Sequence, residues 1–440
     1  MRSRTNVPLV ALVAMLGGAC TAGAAEPSIA SVPATNAPAS EPSGESAQPT
    51  RRADAWLVVG HAGEVGLEVI RADTGERLVE LPAVVANDRW SLLVAATPGR
   101  HSTQVRVLDA LAAWSGSEIV VDGAWRLPTI GDDPVPVGGS VDGGTLVLVE
   151  DDLAHRDDRR STRFAVLRLP LGEEPRIIAL DGQFEFDAIS PDGSRLYVIE
   201  HPEGDGSGRY QVRSVDVATG TLDEGVIADK RTLQQEMAGW PIGQVRRDDG
   251  LVLTLYDGAD HPFIHALDTT EGTAVCIDLP HGHGRDARTT LDWGLTGSGR
   301  LLYAVNTSLG HVMEIDGTTL EVRRSAEIEP LRSAAISLAK FGHSASGPVN
   351  RRAVATPEGR TVLAAGRGGV AAIDTAELRL TDRYLAGQAV EAVGLTPDGA
   401  VLYVLLRDRG RIVALDAATG NPIGEVPGEG YDRLLAVVPG

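Results

Sequence analysis

Cysteine, lysine and aromatic side chains are scarce in this chain, and each scarcity removes a class of protein. Two cysteines in 440 residues, Cys20 and Cys276, cannot supply a disulfide framework. Stability has to come from an apolar core, for which a 43% hydrophobic content is ample. Only Lys230 and Lys340 are lysine among the 40 basic residues, an arginine bias that reflects the gene's base composition rather than phosphate recognition. The 60 acidic residues leave a formal net charge of -20, which repels nucleic acid and anionic headgroups and excludes both as main partners. No apolar run reaches the roughly 20 residues of a spanning helix. Catalytic signatures are missing too: there is no Gly-x-Ser-x-Gly, His-Glu-x-x-His, P-loop or Cys-x-x-Cys-His. The sequence therefore assigns no catalytic residue and requires no cofactor.

What is present begins with a leader. Arg2 and Arg4 precede an apolar run from Val7 to Ala19, the pattern of an export signal over residues 1–20. Its end, "LGGAC", resembles the lipobox of bacterial lipoproteins, in which cleavage falls just before a cysteine that is then lipidated. That cysteine is Cys20 here. The match departs from the family at Gly17, where leucine is preferred, with Leu16 one place further back, so cleavage near Ala22–Ala25 and free secretion stay open. A disulfide would staple this leader region to a distant strand; a lipid on Cys20 and a buried free thiol at Cys276 is simpler. Residues 21–54 are rich in Ala, Ser and Pro with few large apolar side chains, the composition of a disordered tether. Residues 55–440 then form one body, expected to be a monomer outside the cytoplasm that touches a membrane only through the lipid.

Within that body one grammar recurs. "ISPDGSRLYVIE" (Ile189 to Glu200) is echoed by "LTPDGAVLYVLL" (Leu395 to Leu406), and each is followed by a loop, a second β-rich run ending in Asp, and a turn. Related units start near Asp249, Leu295 and Ala355. Spacing is nearly fixed within a unit and loose between units, as in propeller blades of four strands. Pro-Asp-Gly closes the hairpin between strands A and B, and the later Asp caps the turn after strand C, so these aspartates read as turn chemistry. "YAVN" (Tyr303 to Asn306) followed by "HVMEID" (His311 to Asp316) resembles the YVTN-type β-propeller repeats of exported bacterial proteins; WD40 signatures are absent. The expectation is an all-β single propeller of about eight blades, near 56–82, 83–122, 135–181, 184–228, 240–279, 289–328, 350–386 and 390–427, with seven the other count. The first unit lacks its innermost strand, and "YDRLLAVVP" (Tyr431 to Pro439) is a lone strand that completes it.

Strand direction sorts the loops. Turns A–B and C–D emerge at one end of a blade, loops B–C and crossovers D–A at the other, and the long polar segments all fall at the second end. His61, His101, His155, His201, His261 and His311 lie in or beside B–C loops, His281, His283 and His343 in crossovers, and Arg367, Arg407 and Arg409 in the B–C loops of the last two units. Imidazole and guanidinium groups on one rim suit an anionic ligand or a metal. The candidates are His155, His201, His261, His281, His283, Arg285, Arg407 and Arg409, with His281 and His283 the compact pair for a metal; ordinary solvated loops are the competing reading. Residues 330–342 carry the start and stop signals of a short helix. Two functions follow: a tethered scaffold binding a protein, glycan or small molecule through this face, or a metal-assisted hydrolase or lactonase-like enzyme.

Overall fold

The computed structural model divides the chain into two units, Met1–Pro49 and Thr50–Gly440. It describes residues 55–440 apart from 62–65, 88–89, 110–115, 132–134, 152–160, 203–208, 232–236, 259, 282–291, 333–350 and 409. The leader, Cys20 and the tether lie outside the described residues, as do His155, His283, Arg285, His343, Arg409 and nearly all of the expected helix.

The described residues form 32 β-strands and no α-helix. Strands group in fours along the chain, here called modules: I (55–81), II (84–122), III (125–181), IV (184–226), V (237–278), VI (294–327), VII (353–384) and VIII (390–425), with the strand Tyr431–Pro439 left over. Within a module, successive strands A to D pair antiparallel. Module I supplies only three, and Tyr431–Pro439 takes the A position by pairing with Ala55–His61, with Trp56 opposite Val438 and Val59 opposite Leu434. Six modules are separate four-stranded sheets. Modules IV and V share one sheet, because Arg209 and Tyr210 pair with Ala238 and Met237.

Local chemistry explains the turns. Gly193 and Gly399 take φ of 65° and 74°, the left-handed region that the A–B hairpin needs. Asp192 Oδ1 accepts from the Ser190 hydroxyl at 2.7 Å and the Ser194 amide at 3.0 Å, which holds its carboxyl down at about 2. After strand C, Asp216, Asp316 and Asp416 each accept the amide of Thr219, Thr319 and Thr419 at 2.7–3.0 Å. The recurring aspartates are turn caps. Module III departs from its expected start at 135: its A strand is Trp125–Arg126, and the segment beyond makes only the isolated bridges Thr129–Pro136 and Gly139–Leu146.

Each sheet has two apolar faces, and each face is covered by a neighbour. One cluster joins Leu93 and Leu108 of module II to Val58 and Leu67 of module I; others join II to III, III to IV, and so on to VII and VIII. The remaining cluster packs Tyr403, Leu405 and Ile412 of module VIII on Leu57, Val59 and Leu434 of module I. Buried Val, Leu and aromatic side chains contribute about 1.5–3 kcal/mol each, so losing one face is costly. Tyrosines add directed ties: the Tyr197 hydroxyl of module IV donates to the Thr269 carbonyl of module V at 2.8 Å. Leu434 is fully buried where the last strand meets the first. Leu434→Ala should lower the unfolding free energy by about 2–5 kcal/mol, measured by urea denaturation; a change under about 0.5 kcal/mol, the level of ordinary surface substitutions, would contradict this packing.

Candidate functional site

The end of the modules that carries B–C loops and D–A crossovers holds the described histidines other than His265, which lies within a strand, but they are dispersed. His61 Nε2 lies 3.4 Å from Glu68 in module I. His201 is buried 3.7 Å from Glu185 in module IV. His261 Nε2 meets Asp278 at 2.9 Å, and its ring stacks 6.4 Å from that of His281. Among the described residues no three of His, Cys, Asp and Glu converge as a metal site. Arg367 and Arg407 serve a structural network instead: Arg367 Nε meets Asp292 at 2.9 Å and Arg407 meets Glu391. Arg352, 4% exposed, bridges the two acids, 3.3 Å from Asp292 and 3.8 Å from Glu391. The network ties the starts of modules VI, VII and VIII together, and removing one partner from such a buried pair strands its charge.

A sizeable concavity lies elsewhere. A cavity of about 830 Å³ is walled by the A strands of modules II and V, by the A–B turns of modules II to V, and by Arg351 ahead of the module VII A strand. Its walls are apolar at Val84, Ile130 and Val137 and polar at Asn87, Gln244, Arg246 and Arg351. Arg246 spans the wall, donating to the carbonyls of Gly139 and, at 3.5 Å, Ala86. Asp142 faces the cavity but is occupied by its own turn, accepting from the Ser140 hydroxyl at 2.6 Å and the Gly144 amide at 2.8 Å.

Arg351 is different in kind. No carboxylate among the described residues pairs with it, and its only recorded partner is the face of Trp90, 6.0 Å from guanidinium carbon to ring centroid. Arg351 is half-buried, and that burial pulls its guanidinium down to about 10, so it keeps its charge at neutral pH. A cation–π contact of this kind offsets about 0.5–2 kcal/mol, less than an ion pair would.

Trp90 is held by the turn it closes. Its amide donates to the Asn87 carbonyl at 3.0 Å, while Asn87 Oδ1 accepts from the amides of Ser91 and Leu92 at 3.0 and 3.1 Å. The backbone at Trp90 has φ of 54°, strained for a bulky side chain. Leu320, Leu378 and Leu385 share that conformation at other turns, so strain alone does not mark the site. The position of Trp90 in the wall opposite Arg351 does.

Behind the wall sits Asp187, fully buried in the module IV A strand. The Gln244 amide donates to its carbonyl at 3.0 Å and lies 3.5 Å from Oδ1; Oδ2 has no hydrogen-bond partner among the described residues. Burial pushes its carboxyl up to about 7.

Sequence reasoning missed all of these residues. Arg246 and Arg351 each stand first in an Arg-Arg pair beside an A strand, interrupting an otherwise apolar pattern, and that interruption was the available signal.

No family model matches the chain, and no curated protein matches it. Solved structures do. Apo AztD from Citrobacter koseri is 13% identical with a TM-score of 0.53, covering 88% of this chain and 98% of that one. A second structure of Citrobacter koseri AztD is 14% identical with a TM-score of 0.51 over the same shares. The Dos1 propeller is 14% identical with a TM-score of 0.43, covering 78% of this chain and 83% of its own. The structural neighbours are β-propeller proteins, and the four-stranded antiparallel sheets of this chain place it in that fold class. At such identities the likeness is one of fold, not of activity.

Asp187 supplies a pH test. Its folded-state value lies above the value of about 3.9 in an unfolded chain, so the fold favours the neutral acid. The stability this provides is complete below about pH 4 and is lost as pH rises through about 7. Asp187→Asn keeps the shape without the charge. At pH 8 it should be the more stable protein, by up to about 4 kcal/mol, and near pH 4 the two should unfold alike in calorimetry. A constant difference from pH 4 to 8 would contradict the burial argument.

Proposed function

We propose that this chain is an exported, lipid-anchored β-propeller of eight blades that binds a small organic carboxylate in its axial cavity. Support for a closed ring of eight comes from the packing order. Every module is packed on the next, the eighth packs on the first, and the last strand pairs with the first. The A strands of modules II, V and VII, far apart in sequence, border one cavity, as the innermost strands of a ring would. In this reading modules IV and V are two blades bridged at their loop end. Membership among the YVTN-type repeats rests on "YAVN" and "HVMEID" alone.

The observation that carries the ligand class is Arg351, a half-buried guanidinium in the cavity wall whose partner among the described residues is the face of Trp90. A planar guanidinium with no carboxylate partner among the described residues is suited to take one from a ligand by paired N–H donors. Trp90 and the apolar walls suit the ligand's body, and the volume lies within the roughly 300–1,000 Å³ of small-molecule sites. Charge-assisted hydrogen bonds are worth about 1.5–3 kcal/mol. Titration calorimetry with benzoate, citrate and inorganic phosphate should find binding of at least one carboxylate, weakened roughly 10- to 150-fold in Arg351→Gln at an unchanged melting temperature. Failure of the wild type to bind any of them, or equal binding by the variant, overturns the reading.

Attachment rests on Cys20, with secretion after cleavage near Ala22–Ala25 as the other route. The wild-type chain expressed in a bacterium should partition into the detergent phase and Cys20→Ser into the aqueous phase. Equal partition of the two contradicts the lipid anchor.

A further inference from the structure

Cys276 is the one cysteine of the body, and Met237 and Met313 are its only methionines. Two of these three sulfur atoms meet. Cys276 Sγ lies 3.8 Å from Met237 Sδ and 3.8 Å from His265 Nδ1. His265 and Cys276 are directly opposite on paired strands of module V, so their side chains share the face turned toward module IV. Met237 begins the A strand of module V at the bridge to module IV. Three strands thus bring a thioether and an imidazole each to the thiol of Cys276.

The surroundings hold that point in place. A connecting segment straps the outer strand at Cys276: Asp229 Oδ2 accepts the Cys276 amide at 2.7 Å, Arg231 donates to the Cys276 carbonyl, and Asp229 pairs with Ala274 in a parallel bridge. His265 is 1% exposed, and its Nε2 has no hydrogen-bond partner among the described residues. The ring is therefore not fixed by a structural bond from that nitrogen, and a thiol at 3.8 Å is a weak partner for the other. Met237 is buried while Cys276 is only partly so.

We infer that Cys276, His265 and Met237 form a binding site for a soft monovalent metal ion, Cu(I). Thiolate and thioether donors select Cu(I) over the harder divalent ions. Metal–sulfur and metal–nitrogen bonds of about 2.3 and 2.0 Å, the lengths of zinc sites, put two sulfurs in a plane around one ion about 4.0 Å apart and a sulfur and a nitrogen about 3.7 Å apart, against 3.8 Å for Cys276–Met237 and for Cys276–His265. Binding replaces the S–H bond by an S–Cu bond and releases one proton to solvent, with no change in oxidation state. The site is separate from the axial cavity, and neither depends on the other.

The test is anaerobic Cu(I) titration of the full chain in competition with bicinchoninate, with X-ray absorption on the loaded protein. The wild type should hold one Cu(I) per chain, with sulfur scatterers at about 2.3 Å and a nitrogen scatterer at about 2.0 Å. Met237→Leu, close in volume and so expected to fold, should weaken binding roughly tenfold, and Cys276→Ala should exceed the roughly 10–100-fold cost of losing an outer-shell partner. If Cys276→Ala does not fold, Met237→Leu and the scatterers decide alone. The proposal fails if the wild type keeps no copper, if the copper shows only nitrogen and oxygen neighbours, or if Met237→Leu holds it as tightly as the wild type.

Discussion

The structure depends on apolar contact between successive sheets. A four-stranded sheet with two apolar faces cannot leave either to water, so each module needs a neighbour on both sides. Clusters such as the one uniting Phe164, Ile178 and Val198 belong to no single module, and each is assembled only when two are in place. A chain with ends would leave two such faces bare. The cluster of Leu57, Val59, Tyr403 and Leu405 covers them with each other, and the strand Tyr431–Pro439 supplies the backbone partners of Ala55–His61. The fold is in this sense set by a shortage: the first module lacks one strand and the chain keeps one in reserve at its far end.

That dependence also explains what could be read in advance. Turn chemistry is local, so Asp192 with Gly193, or Asp416 with Thr419, announces itself within a few residues. The alternation of "RIVALD" and the Leu-Tyr pairs are local as well, and module boundaries near 84, 184 and 390 follow from them. The start of module III was misplaced because Trp125–Arg126 is a two-residue strand, too short to carry a period. The bridge between modules IV and V was illegible for another reason: it joins Tyr210 to Met237 across a crossover, and no rule of spacing requires it. Among the sites, the sequence placed the histidines and arginines of one loop end but not their partners. Asp292 captures Arg367 across a module boundary and Glu391 captures Arg407 within module VIII, and neither pairing has a signature in a single chain.

The two polar layers of the body differ in how their charges are met. At the loop end, Asp292, Arg352 and Glu391 alternate in sign across three modules, so each buried charge has an opposite neighbour. This neutralisation locks the starts of the A strands at the cost of chemical availability. The cavity follows the opposite rule. Arg246 spends its donors on main-chain carbonyls, Asp142 on its turn, and Arg351 is left with an aromatic face. Both layers are arginine-rich and close in sequence, since Arg351 and Arg352 are adjacent, yet Arg352 lies between two carboxylates and Arg351 pairs with none among the described residues.

Adjacency makes that contrast informative. Arg352 enters a site already containing two carboxylates; Arg351, one residue earlier, borders a cavity whose described carboxylates, Asp142 and Asp248, form no ion pair with it. An uncompensated guanidinium lowers stability, and a methionine or leucine there would fill the same wall without that penalty. The chain instead places the charge beside Trp90, in a strained turn that costs of order 1–3 kcal/mol on its own. The same φ occurs at Leu320, Leu378 and Leu385 in other turns, so what marks this wall is the charge and the indole together. They are explained together if the missing partner of Arg351 arrives from solution, because an anion that binds only the folded form returns the desolvation cost as affinity and stabilises the body by mass action.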